Sequence, residues 1–300
     1  MQRELPSYGG QALIEGVMMR GTQVCSIAVR APDQSIVIET RRLGGLYRSR
    51  LMRLPFLRGL LMLYDALVLG IRALTFSANI QVPEEEKIEG RTLALTLGFS
   101  FLIGLVVFMF LPVGVGLLAE RFLAWEPWQS NILEGLVRLG LFLAYLRAVR
   151  SMSDIQRVYG YHGAEHKTIN AFEAGADLQL ETIRSFPRVH PRCGTAFLLT
   201  VFVFSILLFS ALGPLPIAPR IISRLFLLPL LAALAYEYIR FTARHSRSRW
   251  ARIMMMPNLW LQRLTTAEPD DEMLAVAMAA FESMRSQEEN EFARASSSAS

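Results

Sequence analysis

Long apolar runs alternate along this chain with short polar blocks, and the lengths of the runs set the first expectation. Leu95 to Leu118 is 24 residues without a charge, and Ala196 to Gly213 is another 18. At about 1.5 Å of rise per residue, each is long enough as a helix to cross a hydrocarbon core of about 30 Å. Ile221 to Phe241 is nearly as apolar, with Arg224 near one end and Glu237 and Arg240 near the other, where long side chains reach an interface. Ile132 to Val149 carries Glu134, Arg138 and Arg147 around an apolar centre, Leu139 to Leu146.

The polar blocks decide how many of these runs cross. Lys and Arg number twelve from Met1 to Thr92, six from Arg150 to Thr195 and seven after Ala243, against one each in 119–131 and 214–220. Positive segments stay on the cytosolic side. Four crossings, at 95–118, 132–149, 196–213 and 221–241, place every basic block there, whereas three crossings do not. The pattern therefore predicts a mainly α integral membrane protein, with its N-terminus, C-terminus and 150–195 loop cytosolic. The first 90 residues contain no run that reads as a cleavable secretory signal.

Outside those runs the periodicity changes. Val24 to Arg30 and Ser35 to Arg41 alternate apolar and polar residues around Ala31-Pro32-Asp33-Gln34, which predicts a β-hairpin in a small cytosolic domain over 1–54. The Gly9, Gly10, Gly16 and Gly21 stretch before it reads as tight turns packed on that hairpin. An apolar segment with Arg58, Asp65 and Arg72, opened by Pro55, predicts an interfacial helix over 55–80. After the last crossing, 242–285 includes an amphipathic helix from Pro269, with Leu274, Met278 and Phe281 at helical spacing, and 286–300 reads as a disordered tail.

Composition agrees with this organisation. Apolar residues make up 52% of 300 and the mean hydropathy is +0.33, above the range of ordinary soluble domains. A net charge of +5 with no base-reading module points to anionic lipid headgroups of the bilayer rather than to nucleic acid. The two cysteines, Cys25 and Cys193, both fall on the reducing side, which favours free thiols or metal ligation over a disulfide.

The chemistry concentrates in the 150–195 loop. His162 and His166 lie four residues apart, so a helix projects both imidazoles from one face toward a common ion, with Glu165 beside them. This is the H-x-x-E-H order, in which the glutamate is a general base toward water activated by zinc. Glu173 sits on the same helical face as a third ligand. His190 and Cys193 form a second group just before the third crossing, where a helix N-terminus favours a thiolate. Three arrangements remain open. Zinc (Zn2+) on His162, His166 and Glu173 with an open position is catalytic, with Glu165 as base. Zinc closed by His162, His166, His190 and Cys193 is structural. Without metal, Cys193 with His190 or His162 forms a nucleophile and base pair.

The stretches Gly9 to Gly21, Tyr161 to Thr168, His190 to Thr195 and Gln262-Arg263-Leu264-Thr265-Thr266 with Glu268-Pro269 resemble the YqhQ-like family of bacterial membrane proteins. That resemblance implies a multi-pass membrane protein and a metal-dependent enzyme of undefined reaction, with His162, Glu165, His166, Glu173, His190 and Cys193 as matching positions. The spacing to Glu173 departs from that of zinc peptidases with the reversed motif. The functional expectation is a zinc-dependent hydrolase of unknown substrate. Its alternatives are a membrane scaffold with structural zinc and, third, a transporter or channel component, for which a homo-oligomer would supply missing walls.

Overall fold

The computed structural model describes residues 8–44, 54–88, 90–213, 215–246 and 248–297. The alternating segment near the N-terminus forms β3 (Val24–Arg30) and β4 (Ile36–Arg42), joined by the expected turn. The glycine-rich stretch before it forms a second hairpin, β1 (Gly9–Leu13) and β2 (Gly16–Arg20), where tight turns were expected. Its two-residue loop is Ile14-Glu15, and Glu15 takes a positive φ of 50°. The result is a four-stranded antiparallel meander in the order β1-β2-β3-β4.

The helices are α1 (Leu57–Ile80), α2 (Gly90–Leu105), α3 (Leu111–Leu123), α4 (Pro127–Val149), α5 (Ser153–Glu173), α6 (Leu180–Arg184), α7 (Gly194–Ala211), α8 (Ile217–Phe226), α9 (Leu228–Arg244), α10 (Arg249–Thr265) and α11 (Asp271–Ser297). A π-helical segment, Val106–Phe110, joins α2 to α3. By length and composition three helical stretches can cross a membrane: α1, Gly90–Leu123 and α7. A fourth is available if the bent pair α8 and α9 counts as one span. This set differs from the sequence expectation at three places, the first being that the 221–241 run, expected as one crossing, bends by 41° between α8 and α9. Helix α1, expected to be interfacial, is long and apolar enough to cross, and α4 fails the same test because its charges lie inside it.

Both faces of the sheet are covered because its strands alternate in register. Ala12, Val17, Met19 and Ala28 face α5 and α11, meeting Tyr161, Ala164, Leu274 and Phe281 in the largest buried cluster. Leu13, Met18, Ile27 and Val29 face α1, where Ala73, Leu69, Phe76 and Ile80 pack on them. Polar links fix α1 there: Asp65 pairs with Arg20 at 3.1 Å and the Gln81 amide donates to the Arg30 carbonyl at 2.8 Å.

Helix α11 runs on to Ser297, through most of the region where composition predicts disorder; residues 298–300 lie outside those described. Tertiary contacts supply the order. The buried Glu288 carboxylate accepts hydrogen bonds from the Thr22 backbone N–H at 2.6 Å, the Thr22 hydroxyl at 2.8 Å and the Gln23 N–H at 2.8 Å, capping the β2–β3 turn. Glu291 pairs with Arg42 at 2.5 Å.

Among the apolar helices, α4 packs along α3 and α7. Its two buried charges, Glu134 and Arg138, are satisfied internally. Glu134, 1% exposed, receives Arg138 at 2.7 Å as the four-residue spacing predicts, together with Arg224 at 3.0 Å and Arg220 at 3.4 Å. Arg220 also pairs with Glu120 at 2.7 Å. Arg138 donates through Nε to the Phe108 carbonyl at 2.8 Å, within the π-helical segment. Glu237 in α9 pairs with Arg58 at the start of α1.

Candidate metal centre

Helix α5 positions the site because it is buried on several sides at once. Tyr161, Ala164 and Ile169 enter the core against the sheet and α11. Gly163 faces the segment after α10 and Gly160 faces the first turn of α11, and the two glycines let these come close. A Cβ on Gly163 would lie 2.1 Å from the Ala267 carbonyl oxygen, and one on Gly160 would lie 2.5 Å from Met273 Sδ. The Ala267 N–H donates to the Tyr159 carbonyl at 2.8 Å, locking that approach.

The face between these two carries His162 and His166. His162 Nδ1 lies 2.8 Å from the Thr265 carbonyl and His166 Nδ1 lies 2.8 Å from the Arg188 carbonyl. A carbonyl only accepts, so each Nδ1 carries the proton and each Nε2 keeps a free lone pair. Backbone carbonyls commonly hold metal-binding imidazoles in this way.

The segment from 184 to 193 is fastened against α5 by neighbouring side chains. Lys167 donates to the Arg184 carbonyl at 2.7 Å, and Asn170 donates to the carbonyls of Pro187 at 2.7 Å and Val189 at 3.1 Å. From α10 the buried Gln262 amide bonds both backbone groups of His190, accepting from its N–H at 2.8 Å and donating to its carbonyl at 2.9 Å. Cys193 then becomes the N-cap of α7, with its sulfur 3.2 Å from His162 Nε2 and 3.2 Å from the Thr195 hydroxyl. Since Nε2 of His162 is the acceptor, the thiol is the donor in the neutral pair.

Donor atoms of His162, His166 and Cys193 all lie within 4.8 Å of one another. His166 and Cys193 are buried and His162 is half-buried. Two imidazole nitrogens and one sulfur at this spacing are a donor set that could hold a metal ion.

The other predicted residues fall around this group. His190 stands behind His166, ring centroids 5.8 Å apart, and its Nε2 faces the Glu173 carboxylate at 3.3 Å. The Arg192 N–H reaches His190 Nδ1 at 3.4 Å, which leaves the His190 proton on Nε2. Glu173 also pairs with the Arg192 guanidinium, so it joins His190 rather than the group of three. Burial opposes ionisation of Glu173, but His190 and Arg192 outweigh it and hold the carboxyl below its ordinary range. Burial dominates at His190 and lowers its basicity against the pull of Glu173. Cys25 is buried in β3 and free, outside the cluster.

Glu165 is buried at 4% exposure on the flank between His162 and β1. Its side chain packs on Gly10, where an added Cβ would lie 2.8 Å from Glu165 Cγ. Burial pushes its carboxyl up from 4.5 to about 7, with His162 pulling the other way. A raised carboxylate gives stability that is present below pH 4.5 and lost as pH rises through about 7. In metal-free protein, Glu165→Gln is expected to remove that decline, flattening unfolding free energy across the window by on the order of 3 kcal/mol. Parallel pH profiles for the two proteins would contradict it.

Sequence reasoning passed over Thr265, Gln262, Lys167 and Asn170. Thr265 and Gln262 lie in a motif that the family resemblance marks, yet they act on or through the backbone, which no residue spacing reveals.

Comparison with known proteins bears on identity but not on chemistry. A family model described as "Protein of unknown function (DUF1385)" matches residues 54–287. The uncharacterized protein YqhQ of Bacillus subtilis (strain 168) is 32% identical over 291 residues, a match spanning 92% of this chain and 91% of that protein. No solved structure matches. The chain belongs to this YqhQ-like family of unknown function.

Proposed function

We propose that the protein is a multi-pass protein of the bacterial cytoplasmic membrane, carrying on its cytosolic face a zinc centre ligated by His162, His166 and Cys193. The reaction proposed is metal-dependent hydrolysis, with Glu165 as general base. The observation that carries the reading is the convergence of three donor atoms within 4.8 Å, with both imidazoles held by backbone carbonyls so that Nε2 points inward.

Several features support the membrane part. Three to four helices are apolar enough to span. Helix α4, though charged, lies against two apolar helices and has Glu134 and Arg138 paired inside the protein, which is how charge is tolerated within a bilayer. Helix α1 rests its second half on the sheet and pairs Asp65 with Arg20, an arrangement that suits a helix lying on the cytosolic leaflet.

The donor set favours a catalytic over a structural centre. Three protein ligands leave one position open, as in catalytic zinc sites, and a bound zinc ion would supply Lewis acidity there. The chain's own residues do the rest. His162, His166 and Cys193 fix the geometry. Glu165, buried beside His162, would take a proton from attacking water and return it to the leaving group. In the structural alternative, His190 would complete the shell, and its Nε2 would have to leave Glu173. The 3.2 Å contact between Cys193 and His162 favours a metal-free thiol and imidazole pair as the second reading.

Metal content of the purified full-length protein separates these. About one equivalent of zinc is expected, retained in Glu165→Gln and weakened by roughly 10- to 100-fold or more in Cys193→Ser. The cobalt-substituted protein should show a thiolate charge-transfer band that disappears in Cys193→Ser. Protein without metal, or an unchanged cobalt spectrum in that variant, overturns the metal reading.

A further inference from the structure

Helix α10 holds the centre from behind, and the rest of its surface has a pattern that the centre does not explain. At about 100° of rotation per residue, its side chains sort into three arcs. Ala251, Met255, Asn258, Leu261, Gln262 and Thr265 form the buried arc, against α7 and α9 and under the metal ligands. A second arc is apolar and open: Trp250 is 76% exposed, Ile253 46% and Trp260 54%, with Pro257 between them. The third, on the far side of that stripe, carries Arg249, Arg252 and Arg263, all exposed. Among the described residues none of these three guanidiniums has a carboxylate within ion-pair distance.

An apolar stripe with tryptophans, flanked by unpaired arginines, is the surface of a helix lying in a lipid interface. Its depth agrees. Asn258 reaches Thr200 at 3.3 Å, near the start of α7, and the Tyr238 hydroxyl of α9 donates to the Met254 carbonyl at 2.9 Å. Helix α10 thus lies across the ends of two apolar helices, at the end where Cys193 caps α7.

We propose that α10 docks on anionic phospholipid of the leaflet beside the metal centre, holding His162, His166 and Cys193 at headgroup depth through Thr265 and Gln262. The proposal rests on the membrane reading above, and the four tryptophans let the two be tested apart. Trp125 and Trp128 sit at the turn into α4, away from α10 in the chain.

The full-length protein is reconstituted in vesicles of phosphatidylcholine and phosphatidylglycerol, with one lipid at a time brominated near the headgroup. A W125F/W128F variant reports Trp250 and Trp260, and a W250F/W260F variant reports the other pair. The expected result is quenching of Trp250 and Trp260, about two-fold stronger from brominated phosphatidylglycerol at equal mole fraction, with the preference lost in R249Q/R252Q/R263Q. Quenching of Trp125 and Trp128 but not of Trp250 and Trp260 overturns the proposal and leaves the membrane reading standing. A doubled particle mass alongside that result assigns the stripe to a second copy instead. Equal quenching by both lipids overturns the anionic preference. No quenching of either pair overturns the membrane reading and the proposal with it.

Discussion

Glu134→Gln is expected to lower the stability of the detergent-solubilised protein by about 3–5 kcal/mol, the largest single loss foreseen for a side chain outside the metal centre. The reason is charge. Glu134 is 1% exposed and touches Arg138, Arg220 and Arg224, themselves 8%, 3% and 3% exposed. Without its carboxylate only Glu120, which reaches Arg220 alone, remains among these cations. A buried charge stripped of its partner carries its full desolvation cost. The amide of glutamine keeps the shape and one acceptor but none of the charge. Glu120→Gln serves as the control, since Glu120 is partly exposed and a much smaller effect is expected. Thermal unfolding followed by fluorescence-detected size exclusion reads both variants. Equal midpoints for Glu134→Gln and the parent protein would contradict this account of the network.

The second large effect is steric and acts on the centre from a distance of one residue. Gly163→Ala places a methyl group 2.1 Å from the Ala267 carbonyl oxygen, closer than carbon and oxygen can approach. The opposing group is backbone, tied to α5 by the Ala267 to Tyr159 hydrogen bond, so it yields only by moving the chain after α10. That chain includes Thr265, whose carbonyl holds His162 Nδ1. Overpacking of this kind costs about 1–3 kcal/mol, and loss of a partner that orients a ligand costs roughly 10- to 100-fold in metal affinity. Gly194→Ala, beside Cys193 but with open space where its Cβ would lie, is expected to change neither. Competition with a chromophoric chelator measures the affinities, and an unweakened Gly163→Ala would show that the close approach does not position the site.

These two sites also show what the residue pattern could and could not reveal. The apolar runs of α2 with α3 and of α7 were legible, because crossing length is a property of local sequence, whereas the bend that divides the 221–241 run between α8 and α9 was not. The β3–β4 hairpin, whose alternation is regular, was also legible. The β1–β2 hairpin was not, since Gly9, Gly10 and Gly16 leave few apolar positions to alternate. The exposed stripe of α10 was not legible for a related reason: Pro257 and three arginines interrupt it along the sequence, and it forms only on the surface of the folded helix. The order of α11 beyond Arg285 depends on Glu288 meeting a turn 265 residues away in sequence, a contact no local composition encodes.

At the centre, the residue types were legible and the grouping was not. Histidines four apart on a helix must share a face, and their convergence with Cys193 follows from the 184–193 segment being clamped to α5. Whether Glu173 or Cys193 joins them depends on where that clamp sets the chain. Lys167, Asn170 and Gln262 set it by bonding backbone groups, so Glu173 meets His190 and Arg192 while Cys193 meets His162. Glu165 was marked by the H-x-x-E-H order, but its burial against Gly10, which raises its carboxyl, was not legible.

The central claim is a metal centre with two imidazole ligands, one thiolate and one open position. X-ray absorption at the zinc edge, on full-length protein purified without chelator, tests it most directly. The account predicts one sulfur at about 2.3 Å and two imidazole nitrogens at about 2.0 Å, with a single light-atom ligand that is not imidazole. A shell of one sulfur and three imidazoles would bring His190 in and make the centre structural, and a protein that binds no metal would contradict the account altogether.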